Sequence, residues 1–453
     1  MTDTTGSAPV GPGTTRGWFG HPRGLSTLFF TEMWERFSYY GMRAFLILYM
    51  TAPLVAGGLG FDVRRAGSVY GTYTSSAWAA TVLGGFIADR GLGQYASVLV
   101  GGIIIALGHF TLAFRTLPFF YTGLALIVVG TGLLKPNVST LVGSLYDSAD
   151  ARRDAGFSIY YMGINLGAAL GPLVAGWFAQ QVNWHLGFAC AGIGMTLGLM
   201  QYVLGKRYLA PPFTRLRPQA PSARVALGPG AATRAPLGFS RDEWRRIGAM
   251  VVFFCFATFF WAAYEQAGST LNLFGDRFTR LSLAGVAFPS SWFVAVQAIF
   301  VILLAPVFAW LWVRLGHHEP SSPAKFALGL LFIGLSFLLL IPAAHLAQGL
   351  GLRVSPWWLI GCYFVQELGE LSLSPVGLSV FTKLAPARIV GMMMGVWFLA
   401  DALGNKIAGW TAGLFTSVPL TELFGAVAAV CLGAAAAMVV LIRPVRGLMG
   451  GVR

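Results

Sequence analysis

Long apolar stretches separated by short polar segments run along the whole chain. About twelve of them, each of roughly 20 residues, are predominantly apolar. A helix of about 20 residues crosses a hydrocarbon core of about 30 Å, whereas a transmembrane β-strand needs only about 10 residues. The pattern therefore predicts membrane-spanning helices. The predicted spans are 26–50, 66–88, 95–115, 118–141, 155–178, 184–204, 246–268, 288–313, 324–344, 356–380, 389–415 and 420–442.

One long polar segment, residues 205–244, interrupts this pattern at its middle. It contains the sequence APPFTRLRPQAPSARVALGPGAATRAP, whose Pro, Ala and Arg content predicts a flexible linker. The predicted organisation is a six-helix bundle over 1–204, the linker, and a second six-helix bundle over 245–453. This plan is typical of major facilitator transporters, whose halves rock about a central substrate site. We expect an all-α membrane protein with the major facilitator fold and twelve transmembrane helices.

Composition excludes a soluble protein. Of the 453 residues, 56% are hydrophobic and 11% charged, with a mean hydropathy of +0.68, whereas a soluble domain has about 25% charged residues. The net charge of +14 does not indicate nucleic-acid binding, because the distribution of the 31 Lys and Arg favours membrane topology instead. With both termini cytoplasmic, about 21 of the 31 Lys and Arg are cytoplasmic and about 6 periplasmic, as the positive-inside rule requires. We also expect no cleavable signal peptide.

The segment GGFIADRGLG, residues 84–93, lies between the second and third spans. Its glycines and its pair Asp89 and Arg90 resemble the signature loop of the major facilitator superfamily. The basic residue usual two places after the last glycine is replaced by Tyr95.

Ionisable residues inside the predicted spans are costly at bilayer depth and are therefore functional candidates. In the first span, Glu32, Glu35, Arg36 and Arg43 share one helical face, which must border a polar cavity. The other spans contribute Lys135, Glu265, Glu367, Glu370, Asp401 and Lys406. Any one of these could belong to a structural ion pair. Together, acids and bases from both halves favour a transporter, because buried pairs recover their desolvation cost poorly.

Four motifs resemble those of the proton-coupled oligopeptide transporter family. EMWERFSYYG at 32–41 matches ExxERFxYYG, and YYMGINLG at 160–167 matches FYxxINxG with Tyr160 for phenylalanine. FFWAAYEQ at 259–266 and GELSLSPVGLS at 369–379 match the motifs of helices 7 and 10. The resemblance extends along most of the membrane-embedded chain.

The resemblance implies roles for individual residues. Glu32, Glu35 and Arg36 would form the proton-coupling cluster. Gating salt bridges would join Arg43 to Glu265 and Lys135 to Glu370. The carboxylate of a bound peptide would contact Arg43 and Lys135, and its ammonium Glu370 and Asn165. The other residues implied to bind substrate are Tyr39, Tyr40, Trp78, Tyr161, Trp261, Gln297, Ser374 and Trp397.

Some positions depart from the family pattern. Trp78 replaces an expected tyrosine, and Gln297 stands where many members have asparagine. Asp401 adds a carboxylate where a small residue is common. The linker lacks the extra hydrophobic helix pair of many bacterial members, which favours twelve spans over fourteen.

The expected function is proton-coupled uptake of di- and tripeptides by alternating access. One alternative is a proton-coupled transporter of another solute, such as a nitrate-like anion, a peptidomimetic or a glycoside. A second is a membrane sensor or scaffold. We expect no enzymatic activity, no metal and no cofactor, with protons as the coupling ion. We expect a protein that works as a monomer in the bilayer of a bacterial inner membrane, without nucleic acid.

Overall fold

The computed structural model describes residues 17–146, 150, 152–209, 239–386 and 389–450. Most of the predicted linker, residues 210–238, lies outside the described residues. The structure is almost entirely helical and includes one short antiparallel hairpin, in which Ser282 pairs with Ala287 and Leu283 with Val286.

The described residues form twelve long helices, two short ones and the hairpin. The helices are α1 (Arg23–Thr51), α2 (Val63–Ile87), α3 (Gln94–Leu112), α4 (Leu117–Ser144), α5 (Arg153–Trp177), α6 (Trp184–Leu204), α7 (Lys206–Leu209), α8 (Arg241–Tyr264), α9 (Thr270–Phe278), α10 (Trp292–Leu315), α11 (Ser322–Ala344), α12 (Trp357–Leu384), α13 (Val390–Gly413) and α14 (Leu420–Leu448), and the strands of the hairpin are β1 (Ser282–Leu283) and β2 (Val286–Ala287).

Eight helical segments among the described residues are long and apolar enough to span a membrane. The other four long helices are α1, α2, α12 and α13, which carry more polar side chains. These include Glu32 in α1, Glu370 in α12 and Asp401 in α13. Polar residues in long helices of a membrane protein must face other helices or an aqueous cavity.

Predicted and observed bounds agree within a few residues for most helices, and the span 184–204 is reproduced by α6. The clearest difference at a helix start is α8, which begins at Arg241 instead of 246. Ser240 explains it, because its hydroxyl accepts the Glu243 amide at 3.1 Å while the Glu243 carboxylate accepts the Ser240 amide at 2.7 Å. This capping box starts the helix before the apolar run does.

The segment after α8 was not predicted. A 3-10 turn at Glu265–Gly268 ends the long helix, and Ser269 adopts a non-helical conformation (φ −130°, ψ −91°). The short helix α9 and the hairpin follow. Their polar and apolar residues alternate over too short a distance to form a recognisable membrane span.

The predicted loop at 84–93 is largely helical. A π-helical turn, Ala88–Leu92, continues α2 and carries Asp89 and Arg90. Gly93 then adopts a positive φ of 75°, which glycine tolerates, and the chain reverses into α3.

The helices pack as two groups. In the first helix group, α1 to α6, α1 packs against α5 and α6, and α4 packs against α2 and α3. In the second, α8 to α14, α11 packs against α12 and α14, and α8 packs against α13. The groups meet where α2 contacts α13 and α5 contacts α10. The predicted domain boundaries remain a prediction, but α7 and the start of α8 place helical residues inside the predicted linker range.

Candidate functional site

A cavity of about 2140 Å³ lies between the two helix groups. It opens at the end of the helices that carries Asp89, Lys383 and Arg446. A smaller cavity of about 60 Å³ adjoins it and is lined by Arg43 and Gln297, among others. The predicted residues that line the large cavity are Tyr40, Trp78, Lys135, Tyr161, Asn165, Trp261, Glu265, Glu370 and Ser374.

The opposite end of the helices is closed by bonds between the two groups. Gln180, which follows α5, accepts the Ser291 amide at 2.8 Å and donates to the Ser290 hydroxyl at 2.8 Å. Ser290 in turn donates to Asp276 of α9 at 2.7 Å. Asn272, also in α9, donates to the Ala44 carbonyl at 2.6 Å. Among the described residues, these bonds close this end of the cavity, and the other end is open.

Arg43 and Glu265 form an ion pair across the two groups, as the resemblance implies. Arg43 also donates from Nε to the Tyr70 hydroxyl at 2.6 Å. Both charged side chains are 6% exposed, so each needs the other as its counter-charge. Arg43 lines the smaller cavity, and Gln297 lines it too.

Lys135 of α4 and Glu370 of α12 face the large cavity from different helix groups. In this conformation no ion pair joins them among the residues that the structure describes. The Lys135 ammonium instead lies 4.2 Å from the centroid of the Trp78 ring, a cation–π contact. Glu370 contacts Ser374 with its carboxylate. Both charged groups are therefore available to bind another charged group in the cavity.

Glu32, Glu35 and Arg36 form a buried cluster on α1. The Arg36 Nε atom lies 3.2 Å from Glu32 Oε1 and also contacts the Glu35 carboxylate. All three side chains are at most 1% exposed. Glu32 reaches Arg36 because residues four apart lie on one face of a helix. The Tyr160 hydroxyl from α5 approaches the Glu32 carboxylate.

Two residues expected to line the substrate site do not line either cavity. Tyr39 is buried, with its ring against Tyr40 and against the Arg36 guanidinium. Trp397 packs on Phe381, at 5.3 Å between ring centroids, and fills the space beside Gly377. Their implied contact with substrate stays a prediction, because in this conformation both side chains are packed inside the protein. On α13 the neighbouring Phe398 faces the cavity, and a step of one residue rotates a helix by about 100°, which turns Trp397 into the core.

Sequence reasoning also missed part of the cavity wall. Phe398 of α13 stacks on Trp78 of α2, with ring centroids 5.8 Å apart and an interplanar angle of 14°. Asp401, one turn further along α13, lines the same cavity. Only the departure at Trp78 and the charge of Asp401 marked this region in the sequence. The Gln180 network carried no sequence signal.

Two other buried polar residues are already bonded within the protein. Gln297 donates to Gln366 Oε1 at 3.1 Å, and Glu367 accepts the Tyr264 hydroxyl at 2.9 Å. In the part of the chain that is described, no group of three or more His, Cys, Asp or Glu side chains is placed to hold a metal ion.

Comparison with known proteins bears on this arrangement. The sequence profile of the POT family matches residues 95–218 and 239–430. The chain belongs to the POT family. Its relatives include the "Uncharacterized transporter YclF" of Bacillus subtilis (strain 168), 41% identical over 96% of this chain and 97% of that protein. The "Di-/tripeptide transporter" of Lactococcus lactis subsp. cremoris is 36% identical over 97% and 99%.

A solved structure agrees with the fold of this POT family member. The crystal structure of a peptide transporter POT in complex with sulfate superposes with a TM-score of 0.87, at 40% identity. The superposition covers 96% of this chain and 97% of the chain in the crystal structure. The predicted fold class is confirmed: this is a multi-pass, all-α membrane transporter with the major facilitator fold.

Proposed function

We propose that this POT family member is a proton-coupled symporter that imports di- and tripeptides by alternating access. One observation carries the proposal: Lys135 and Glu370 face one cavity from opposite helix groups, and neither has an ion-pair partner among the described residues. Peptides of varied sequence share one carboxylate, one ammonium and a backbone. A site that presents an unpaired cation from one helix group and an unpaired anion from the other recognises those shared groups. The name of the Lactococcus lactis relative supports this cargo.

The peptide carboxylate binds Lys135 and the ammonium binds Glu370, with Asn165 beside it on the cavity wall. Arg43 is committed to Glu265 in this conformation, so it reaches the carboxylate only when that pair opens. Tyr40, Tyr161 and Trp261 supply aromatic surface on the wall of the same cavity, which accommodates many side chains because it is largely apolar.

The cluster of Glu32, Glu35 and Arg36 binds and releases the coupling proton. One arginine serves two carboxylates in a site closed to solvent, so the cluster carries one negative charge in excess when both are ionised. Protonation of one glutamate removes that excess and leaves Arg36 bound to the other. The cluster therefore has two charge states that stabilise different arrangements of α1, which is the requirement for linking a proton to a conformational change.

Alternation between two conformations uses the two ends of the helix groups in turn. The Arg43–Glu265 pair and the Gln180 network close one end here, while the other end is open. In the opposite conformation Lys135 and Glu370 pair and close the open end. A peptide competes with that pairing for both residues, so it stabilises one conformation at the expense of the other.

We further propose that all twelve long helices span the inner membrane of a bacterium, with both termini cytoplasmic and the open cavity facing the cytoplasm. The excess of Lys and Arg at this end supports the orientation, because such residues favour the cytoplasmic side. The transporter acts as a monomer in the lipid bilayer, without enzymatic activity and with protons as its only coupling ion.

The test is uptake of labelled dialanine into proteoliposomes, with and without an inward proton gradient. Wild type should accumulate dialanine only with the gradient. Lys135→Ala and Glu370→Ala should each lose nearly all uptake. Lys206→Ala is the matched control, because it removes a lysine that does not line the cavity, and it should transport normally.

Near-normal uptake by Lys135→Ala would show that the peptide carboxylate is held elsewhere. Uptake of nitrate or a glycoside by wild type, without any dipeptide uptake, would assign the cavity to a different cargo.

A further inference from the structure

Asp401 is a further charged residue of the cavity wall, and the proposed binding of peptide termini does not use it. Its side chain is 6% exposed and lines the cavity. Its carboxylate accepts one hydrogen bond from Asn405 Nδ2 at 2.7 Å. No Lys or Arg among the described residues lies within ion-pair distance of it.

Among Arg43, Lys135, Glu265, Glu370 and Asp401, three carboxylates stand against two cations, so one carboxylate lacks a counter-charge. Glu265 is neutralised by Arg43. A bound peptide supplies a carboxylate to Lys135 and an ammonium to Glu370. Asp401 then remains in a poorly solvated site without a counter-charge, which is unfavourable unless the substrate or a proton supplies one.

The wall beside Asp401 has the composition that binds organic cations. Phe398 lies one turn before Asp401 on α13 and stacks on Trp78. The Lys135 ammonium lies 4.2 Å from the centroid of the Trp78 ring, so this ring attracts a primary ammonium. Aromatic faces next to a carboxylate attract a lysine or arginine side chain in two ways, by packing along its stem and by attraction to its charged head.

We propose that Asp401, with Trp78 and Phe398, forms a subsite for a cationic side chain of the peptide. The preferred substrates are then di- or tripeptides that contain lysine, arginine or a similar amine. Asp401 binds the side-chain cation, while Lys135 and Glu370 hold the peptide termini. This inference rests on the proposed peptide transport.

The test compares alanyl-lysine with alanyl-norleucine, which has a similar chain without the amine, as competitors of labelled dialanine uptake in proteoliposomes. Wild type should bind alanyl-lysine about tenfold more tightly, the size expected of one charge-assisted contact. In Asp401→Asn the ratio of the two apparent affinities should fall to about one. Asp401→Ser should give the same ratio, and Asp401→Glu should keep a preference for alanyl-lysine.

Glu422→Gln is the control, because it removes an exposed carboxylate that does not line the cavity and should leave the ratio unchanged. A wild-type ratio near one, or an unchanged ratio in both Asp401→Asn and Asp401→Ser, overturns the subsite while peptide transport stands. An equal loss of affinity for both competitors also overturns it, because it assigns Asp401 to the fold or to proton binding. A wild type that takes up no dipeptide refutes the proposed function, and the subsite falls with it.

Discussion

Arg43 of α1 and Glu265, the first residue after α8, form a buried ion pair between positions 222 residues apart in the chain. The pair joins the two helix groups at the closed end of the cavity. Because both side chains are almost fully buried, water cannot stabilise either charge if its partner is removed.

We expect Arg43→Met and Glu265→Gln each to destabilise the purified protein by about 3–5 kcal/mol, since each leaves one uncompensated buried charge. The double variant should recover much of that loss, because no charge is left unpaired. Thermal unfolding in detergent measures both effects. Arg245→Met, which breaks an exposed pair with Asp242, should change stability by less than about 1 kcal/mol. Single variants as stable as wild type would contradict the assignment.

Gln180 closes the same end of the molecule by a hydrogen bond to the Ser291 amide at 2.8 Å. We expect Gln180→Leu to destabilise the closed end by about 1–3 kcal/mol, because the Ser290 hydroxyl and the Ser291 amide lose their partner. Val294 lines the smaller cavity. A thiol reagent added at the closed end should label Val294→Cys faster when Gln180→Leu is also present than when it is absent.

Gln348 provides a matched control for this experiment. It accepts the Leu420 amide at 2.7 Å, but both residues belong to the second helix group. Gln348→Leu should therefore leave the labelling rate at Val294→Cys close to that of the parent protein. Equal acceleration by both substitutions would mean that the effect is a general loss of packing.

Glu32 and Glu35 share Arg36 in the cluster on α1. We expect Glu32→Gln and Glu35→Gln to abolish accumulation of dialanine against its gradient, because an amide cannot take up and release the coupling proton. Counterflow exchange, which needs no net proton movement, should partly remain. Proteoliposome uptake in the two modes measures this separation, with Glu422→Gln as the carboxylate control. Full gradient-driven accumulation by both variants would refute the coupling role.

Gly409 of α13 lies directly against α2. A Cβ atom at this position would come within 2.4 Å of the Gly71 Cα and 2.5 Å of the Gly67 carbonyl oxygen, both backbone atoms. We expect Gly409→Ala to force the two helix groups apart and cost about 1–3 kcal/mol of stability, with a marked loss of uptake.

Gly433→Ala on α14 is the control, because no neighbouring atom lies within 4 Å of its added Cβ. It should be as stable as wild type or slightly more stable, since alanine favours a helix over glycine. Thermal unfolding and dialanine uptake of the two variants, measured side by side, check the prediction. Equal behaviour of both would show that the contact between α2 and α13 tolerates a wider spacing.

Several features of this protein follow from the sequence by itself. The apolar run at 184–204 coincides with α6, because a helix is the simplest way to satisfy every backbone hydrogen bond within lipid. The shared face of Glu32, Glu35 and Arg36 follows from the period of the helix, and the structure joins these three in one cluster. The match of four motifs in order was specific enough to predict the family.

Other features depend on which helices meet, and the helical period does not contain that information. The contact of Gln180 with Ser291 joins positions 111 residues apart, and neither side chain is unusual within its own segment. Trp78 stacks on Phe398, and Trp397 turns into the core, because α2 packs against α13 with one particular rotation. A sequence pattern indicates which side chains share a helical face, whereas packing between distant helices decides whether that face meets a cavity, a charge or the core.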